Sequence, residues 1–258
     1  MPPIPEDKIL SINIKTYGSF VKLPVNHLAG HTVISIDVLR SSSCIVWGLV
    51  NGASKIIPVD DLGSAVSIAS RMGDCVLAGE RGAVLIPGFD IGNSPAEYTE
   101  ARVGGKAVVI STTNGTGAIC KSESASNVLI GSMLNCTAVA KRAVELGNDV
   151  ILMCAGTGGE FSADDIYAAG AIASAIQTLT DAELCDLTRV SCLVYDRWKE
   201  DRTELSKTKH YKRLVSLGLE SDINFCLTRD LTDIVPEYKN GMIEPVSYTH
   251  LRAHETRS

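Results

Sequence analysis

The chain has 258 residues, 45% of them hydrophobic and 21% charged, with a formal net charge of −6. That length suits one large α/β domain or two intimate halves, and the acidic balance leaves no basic face for nucleic acid. No apolar run is long enough to span a bilayer and Met1-Pro2-Pro3-Ile4-Pro5 has no signal-peptide pattern, so a cytoplasmic protein without a membrane partner is expected.

Residues 9–23 alternate enough for an edge strand or hairpin, and Pro24 to Gly30 reads as a loop. The chain then repeats itself. The first unit predicts a strand at 32–36 (T-V-I-S-I), a polar turn at 37–43, a helical pattern from Cys44, a strand at 55–59, a helix over 62–72 and a strand at 75–78. The second predicts a strand at 106–111, a polar turn at 112–116, a helix over 117–123, a strand at 127–131, a helix over 134–146 and a strand at 149–154. Ala53-Ser54 stands opposite Ala125-Ser126 at an offset of 72, and Ile36 opposite Ile110 at 74. The fold class is therefore α/β, with duplicated β-α-β-α-β units (about 32–82 and 106–159) forming a mainly parallel three-layer α/β/α sandwich.

A helix follows from Ser162 to Leu179, with Ser162 as its cap and Asp164 and Asp165 in its first turn facing the helix dipole. Its Ala and Gly content suits close packing on the sheet. Residues 190–240 read as a helical C-terminal cap, completing a single 1–245 domain. Val246 to Thr256 (V-S-Y-T-H-L-R-A-H-E-T) is what one frame of a transposase mosaic end and its sequencing adapter encodes, so 246–258 is read as a translated artefact. Resequencing the source locus is expected to replace these codons; finding them there would remove that reading.

In parallel α/β sheets the loops leaving the C-terminal strand ends carry the ligand site. The polar insertions fall there: Asp37 to Ser43, Gly79 to Gly82, Thr112 to Thr116 and Cys154 to Gly159. Asp37, the Arg40 fork and the hydroxyls of Ser41, Ser42 and Ser43 ahead of a helix suit a phosphorylated ligand and a hard cation, although a capped helix with one surface Arg fits the same residues. The stretch from Gly79 to Pro95 holds Glu80, Arg81, Asp90, Asn93 and Ser94 among four glycines. It reads as a ligand loop or as a long connection between the halves. Thr113, Asn114, Gly115 and Thr116 offer hydroxyls, an amide and backbone N–H groups to an anion, or a plain N-cap turn.

Other chemistries fail on spacing. Six places after Cys154 stands Glu160 and after Cys44 stands Val50, so no C-x5-R loop exists, and Leu39 occupies the second position of a D-x-D motif at Asp37. No Walker loop or G-x-S-x-G elbow occurs. The eight cysteines form no C-x-x-C pair or zinc spacing and read as reduced thiols, with Cys154 in the core. Four of the five histidines lie in an early loop or in the last nine residues, which leaves histidine catalysis little to work with.

Asp37-Val38-Leu39-Arg40, Gly79-Glu80-Arg81-Gly82, Gly88-Phe89-Asp90-Ile91-Gly92-Asn93-Ser94-Pro95, Thr112 to Thr116, Cys154-Ala155-Gly156-Thr157 and Lys209 to Leu214 through Asp222-Ile223 occur in that order. Together they resemble the 2-phosphosulfolactate phosphatase family from about Thr32 to Pro236. The resemblance implies a Mg²⁺-dependent phosphomonoesterase that acts on a small anionic phosphorylated substrate, (2R)-2-phospho-3-sulfolactate, on the way to coenzyme M. On it, Asp37, Arg40 and Glu80 are the catalytic candidates and Asp37, Glu80 and Asp90 the metal ligands. Ser41, Ser42, Arg81, Asn93, Ser94, Thr113, Asn114, Gly115 and Thr116 are the substrate-binding candidates. Attack by water and attack by Asp37 through an aspartyl-phosphate both stay open. Gly117 departs from the pattern, in which a basic residue is expected. The reading from another class is a non-catalytic module that binds an anionic metabolite, and a homo-oligomer stays open.

Overall fold

The computed structural model describes residues 11–23 and 25–246. The readings of Met1 to Pro5 and of the tail beyond Val246 fall outside the described residues. Among the described residues eleven strands form one sheet in the order β5-β4-β6-β3-β11-β10-β7-β2-β8-β1-β9, and the connection between the two units holds β5 (Val84–Leu85) and the short α3 (Glu100–Val103). The first unit supplies β2 (His31–Ile36), α1 (Ser41–Val50), β3 (Lys55–Pro58), α2 (Leu62–Met72) and β4 (Cys75–Arg81). The second supplies β6 (Ala107–Ser111), α4 (Gly115–Lys121), β7 (Asn127–Gly131), α5 (Cys136–Leu146) and β8 (Asp149–Cys154). Helices cover both faces. Ile34, Ile36, Leu129 and Leu152 pack with residues of α5 and of α6 (Ala163–Gln177), while Val33, Ile151 and Met153 on the other face pack with Ala118 of α4.

The sheet order reveals an exchange that local patterns do not encode. β2, from the first unit, lies between β7 and β8 of the second, and β6, from the second, lies between β3 and β4 of the first. Each unit therefore completes its three-stranded parallel set with its neighbour's opening strand. The helices that follow those strands meet as a consequence. Ser41 and Gly115, 74 positions apart and each the first residue of its helix, are in contact.

Three expectations need correction. Residues 12–17 form β1 (Ile12–Tyr17), which is not an edge strand: it lies between β8 and β9 (Ala182–Leu184). The cap reading of 190–240 holds only for its helices, α7 (Asp186–Trp198), α8 (Thr203–Ser206), α9 (Lys209–Ser216) and α10 (Glu220–Cys226). Beyond them β10 (Pro236–Lys239) and β11 (Met242–Pro245) form an antiparallel hairpin in the middle of the sheet, pairing Glu237 with Leu129 on one side and Ile243 with Ile56 on the other. Its turn is Asn240-Gly241, with φ of 52° and 79°, the two positive angles that a tight two-residue hairpin turn requires. The Asn-Gly signal was present in the sequence, hidden by the charged residues around it. Ser162 is the third case. Its hydroxyl caps no backbone N–H and instead donates to the Asp164 carboxylate. The small residues of α6 also serve a second purpose: a β-carbon on Gly170 would stand 1.9 Å from the Ser191 carbonyl oxygen, so α7 rests directly on that position.

The hairpin joins the two halves, and its Ile243 is fully buried among Ile56, Val128 and Ile130. Ile243→Ala is expected to cost about 2–5 kcal/mol, and thermal melting should record it as a drop of about 2–4 °C per kcal/mol. Glu244→Ala, on the exposed next residue, should melt within about 2 °C of the parent.

Candidate functional site

Loops leaving β2, β4, β6 and β8 converge on one pocket of about 270 Å³, lined by Asp37 to Gly158 residues from those loops, by Asp164 and Asp165 of α6 and by His210, Arg213 and Leu214 of α9. Two hydrogen bonds lay α9 across the loops: His210 Nε2 meets the Leu39 carbonyl at 2.9 Å, and Arg213 Nη2 donates to the Gly82 carbonyl at 2.8 Å. A larger cavity of about 360 Å³ beside Phe161 and Trp198 is mainly apolar, with Lys22 as its one charged lining residue. It lacks converging polar groups.

The strand-end geometry explains how each group is held. Glu80 is buried, and its two oxygens accept the backbone N–H groups of Ala83 at 2.6 Å and Thr113 at 2.7 Å, which ties the β4 loop to the β6 loop. Asp165 does the same for two other loops, accepting from Val38 at 3.0 Å and Gly156 at 2.9 Å. Asp37 is half-buried, and its Oδ1 receives the Ser41 N–H at 3.4 Å. Its Oδ2 lies so close to the α4 terminus that a β-carbon on Gly115 would stand 2.5 Å away, which only glycine tolerates. Among the described residues, Asp37 Oδ2 and Asp164 Oδ2 receive no hydrogen bond.

Four carboxylates in one pocket carry an electrostatic cost. Burial is the main cause that pushes Asp37 up from the ordinary 3.8 to about 7; the Glu80 and Asp164 charges add to it, and His210 opposes it. Asp165 is held well above the usual carboxylate range, again first by burial and then by Asp164 and Asp37. On the other side stand Arg40, Arg213 and His210. Arg40 is buried and paired with Asp222 of α10 at 2.5 Å, while its Nη2 reaches the Ala83 carbonyl at 3.3 Å.

Of the residues singled out from the sequence, Asp37, Arg40, Glu80, Asn93, Thr113 and Asn114 line the pocket. The others are placed elsewhere. Asp90 is exposed and accepts the Leu77 N–H at 2.8 Å, so as a metal ligand it is corrected: it braces β4. Arg81 turns from the pocket to the Glu80 carbonyl and the Ser111 hydroxyl, at 2.8 and 2.9 Å. Ser94 donates to Asp222 at 2.7 Å. Ser42 Oγ accepts the Asp37 N–H, and Ser41 Oγ is buried without a partner against Gly115. Thr116 exchanges hydrogen bonds with Thr112 inside its own turn. The hydroxyls of Ser42, Ser94 and Thr116 thus build the loops. Gly117 lies against Phe20, 3.3 Å from two ring carbons were a β-carbon added.

Asp164, Asp165, His210 and Arg213 are pocket residues that local reasoning missed. The two aspartates were assigned to the helix dipole, although they follow the strand-end loop at Cys154 to Gly159. His210 and Arg213 belong to the Lys209 to Leu214 stretch that carries part of the resemblance, but nothing in their local pattern places them at the pocket, where the one histidine outside the early loop and the tail now lies. Cys154 is fully buried as expected, and burial pushes its thiol well above its ordinary range.

A pocket with acidic and basic sides at the strand ends of a three-layer sheet places the chain among α/β proteins that handle small charged ligands. The family described as 2-phosphosulpholactate phosphatase matches residues 20–241. A protein of Caldanaerobacter subterraneus subsp. tengcongensis is 40% identical over 233 residues, covering 89% of this chain and 97% of that one. A protein of Clostridium novyi is 45% identical over 208 residues, covering 80% and 88%. Both are named probable 2-phosphosulfolactate phosphatase. The chain belongs to the 2-phosphosulpholactate phosphatase family and is accordingly a phosphoric monoester hydrolase, which replaces the reading as a non-catalytic module. No helix among the described residues is long and apolar enough to cross a membrane.

The raised Asp37 carboxyl sets a pH dependence. A carboxyl whose folded pKa exceeds its unfolded value contributes stability that is present at low pH and is lost as pH rises through the folded value, here about 7. In chelator, Asp37→Asn is expected to melt above the parent at pH 8, by about 2–4 °C per kcal/mol of relieved repulsion, with the gap narrowing towards pH 5. A gap independent of pH would show that Asp37 titrates normally.

Proposed function

We propose that the protein removes the phosphate from (2R)-2-phospho-3-sulfolactate in a Mg²⁺-dependent reaction, giving 3-sulfolactate and inorganic phosphate, a cytoplasmic step toward coenzyme M. The observation that carries this reading is the two-sided pocket, with crowded carboxylates facing Arg213 and His210, in a chain whose relatives are named for that substrate.

A phosphate monoester carries about two negative charges near neutral pH, which the carboxylate side repels unless a cation lies between them. The donor set suits Mg²⁺. Among the described residues no cluster of three or more His, Cys, Asp or Glu side chains forms a protein-only metal cage. Mg²⁺ needs none, since it keeps several waters and binds through one or two carboxylates plus substrate phosphate. Asp37 and Asp164, each with an oxygen free of hydrogen bonds, are the residues that would hold it, with Glu80 beside them. Bound there, Mg²⁺ supplies positive charge to phosphoryl oxygens on which negative charge builds in the transition state.

The chain's own groups do the remaining work. Thr113 and Asn114 line the wall beside Asp37 and hydrogen-bond the phosphoryl group. Arg213, whose guanidinium is anchored at Gly82 by one of its N–H groups, pairs with the acid group of the organic part. Arg40, fixed by Asp222, keeps positive charge beside the site without swinging onto the ligand. The phosphoryl group passes either to water or to the Asp37 carboxylate, and both routes need Asp37 ionised.

Purified protein incubated with phosphosulfolactate, phospholactate and p-nitrophenyl phosphate tests the reading. Phosphate release is expected to require Mg²⁺, to stop in chelator and in Asp37→Asn, and to favour the sulfonated acid in kcat/KM by about tenfold or more. Mg²⁺-dependent release with another preference would discard the substrate and keep the chemistry. Release from none of the three esters would overturn the reading, and radiolabelled phosphate trapped on Asp37 would select the covalent route.

A further inference from the structure

The geometry points to His210 as the general acid that protonates the oxygen leaving phosphorus, an assignment that rests on the phosphatase reading above. A carbonyl oxygen can only accept, so the 2.9 Å contact to Leu39 keeps one ring hydrogen on Nε2, and in the acid form, an imidazolium, the second ring hydrogen is on Nδ1. Proton exchange with a ligand is left to Nδ1. That atom is buried and without a partner in the free protein, on a side chain that lines the pocket. A buried ring nitrogen left unpaired costs stability, and a ligand that pairs with it removes the cost.

The site's layout determines which ligand atom that is. Asp37, Asp164, Thr113 and Asn114 lie at the strand ends where the phosphoryl group is bound, while His210, Arg213 and Leu214 project from α9, which lies across those loops. The organic part extends toward α9, and the bridging oxygen, between phosphorus and that organic part, falls on the His210 side. As the P–O bond breaks, its electron pair stays on this oxygen. The alkoxide of a 2-hydroxy acid is strongly basic, so the oxygen takes the Nδ1 proton, leaving a neutral imidazole whose Nε2–H remains on Leu39. Water loses one proton in becoming part of the phosphate product, and that proton restores His210. The balance is ester plus water giving alcohol plus phosphate.

Leaving-group dependence separates this role from a structural one. p-Nitrophenoxide is stable as an anion and departs without a proton, whereas a 2-hydroxy acid does not. His210→Gln keeps an N–H near the Nε2 position for Leu39 and removes the proton at Nδ1. Its kcat/KM is expected to fall by roughly 10²–10⁴-fold on 2-phospholactate and by less than about tenfold on p-nitrophenyl phosphate. His210→Ala, which also gives up the Leu39 bond, should show the same split on top of a uniform loss. Equal losses on both esters in both variants, or full activity on phospholactate, would overturn the assignment while leaving the phosphatase reading intact. A parent enzyme that releases phosphate from neither of these esters nor from phosphosulfolactate would remove both.

Discussion

The buried pair between Arg40 and Asp222 is the contact on which the pocket depends. Both side chains are almost wholly withdrawn from water, and Asp222 uses its second oxygen to hold Ser94. One carboxylate on α10 thereby fixes the loop after β2, the loop before residue 95 and the helices that close the pocket. Breaking a buried pair by removing one partner typically costs about 3–5 kcal/mol, because it strands a charge without solvent. Arg40 and Ser94 look like ligand contacts in the sequence because they are polar residues on strand-end loops. In the folded chain both are spent on this joint.

The exchange of opening strands explains why the site lies where it does. Each unit places its first strand in the other's half of the sheet, so the loops after β2 and β6 are neighbours and Asp37 comes to rest against Gly115. Glu80 and Asp165 then bind pairs of loops together through backbone N–H groups. Carboxylates serving as loop ties bring negative charge into a half-buried space. The raised Asp37 carboxyl is the electrostatic consequence.

Apart from Arg40, which sits three residues from Asp37, the two sides of the pocket come from different parts of the chain. The acidic side is assembled from the duplicated units and α6, and the basic side from Arg40 and the later α9. His210 and Arg213 reach the site only because α9 lies over Leu39 and Gly82. The shape of the pocket therefore depends on where the cap lies, because helices after β9 complete a pocket built mostly before residue 166.

The sequence by itself determined the elements. Apolar alternation and turn residues placed β2, β3, β6, β7 and β8 and the helices between them to within a residue or two at most ends, because strand and helix periods are local properties. It also determined the functional edge of the sheet, since polar insertions follow the strand ends, and with it Asp37, Glu80, Asn93, Thr113 and Asn114. Only the tertiary structure decided the rest. Which strands are exchanged, that 236–245 enters the sheet as its central hairpin, that Asp90 and Arg81 turn away, and that Asp164, His210 and Arg213 turn in all depend on partners far along the chain. Direction and burial of a side chain are set by those partners, and no local pattern carries them.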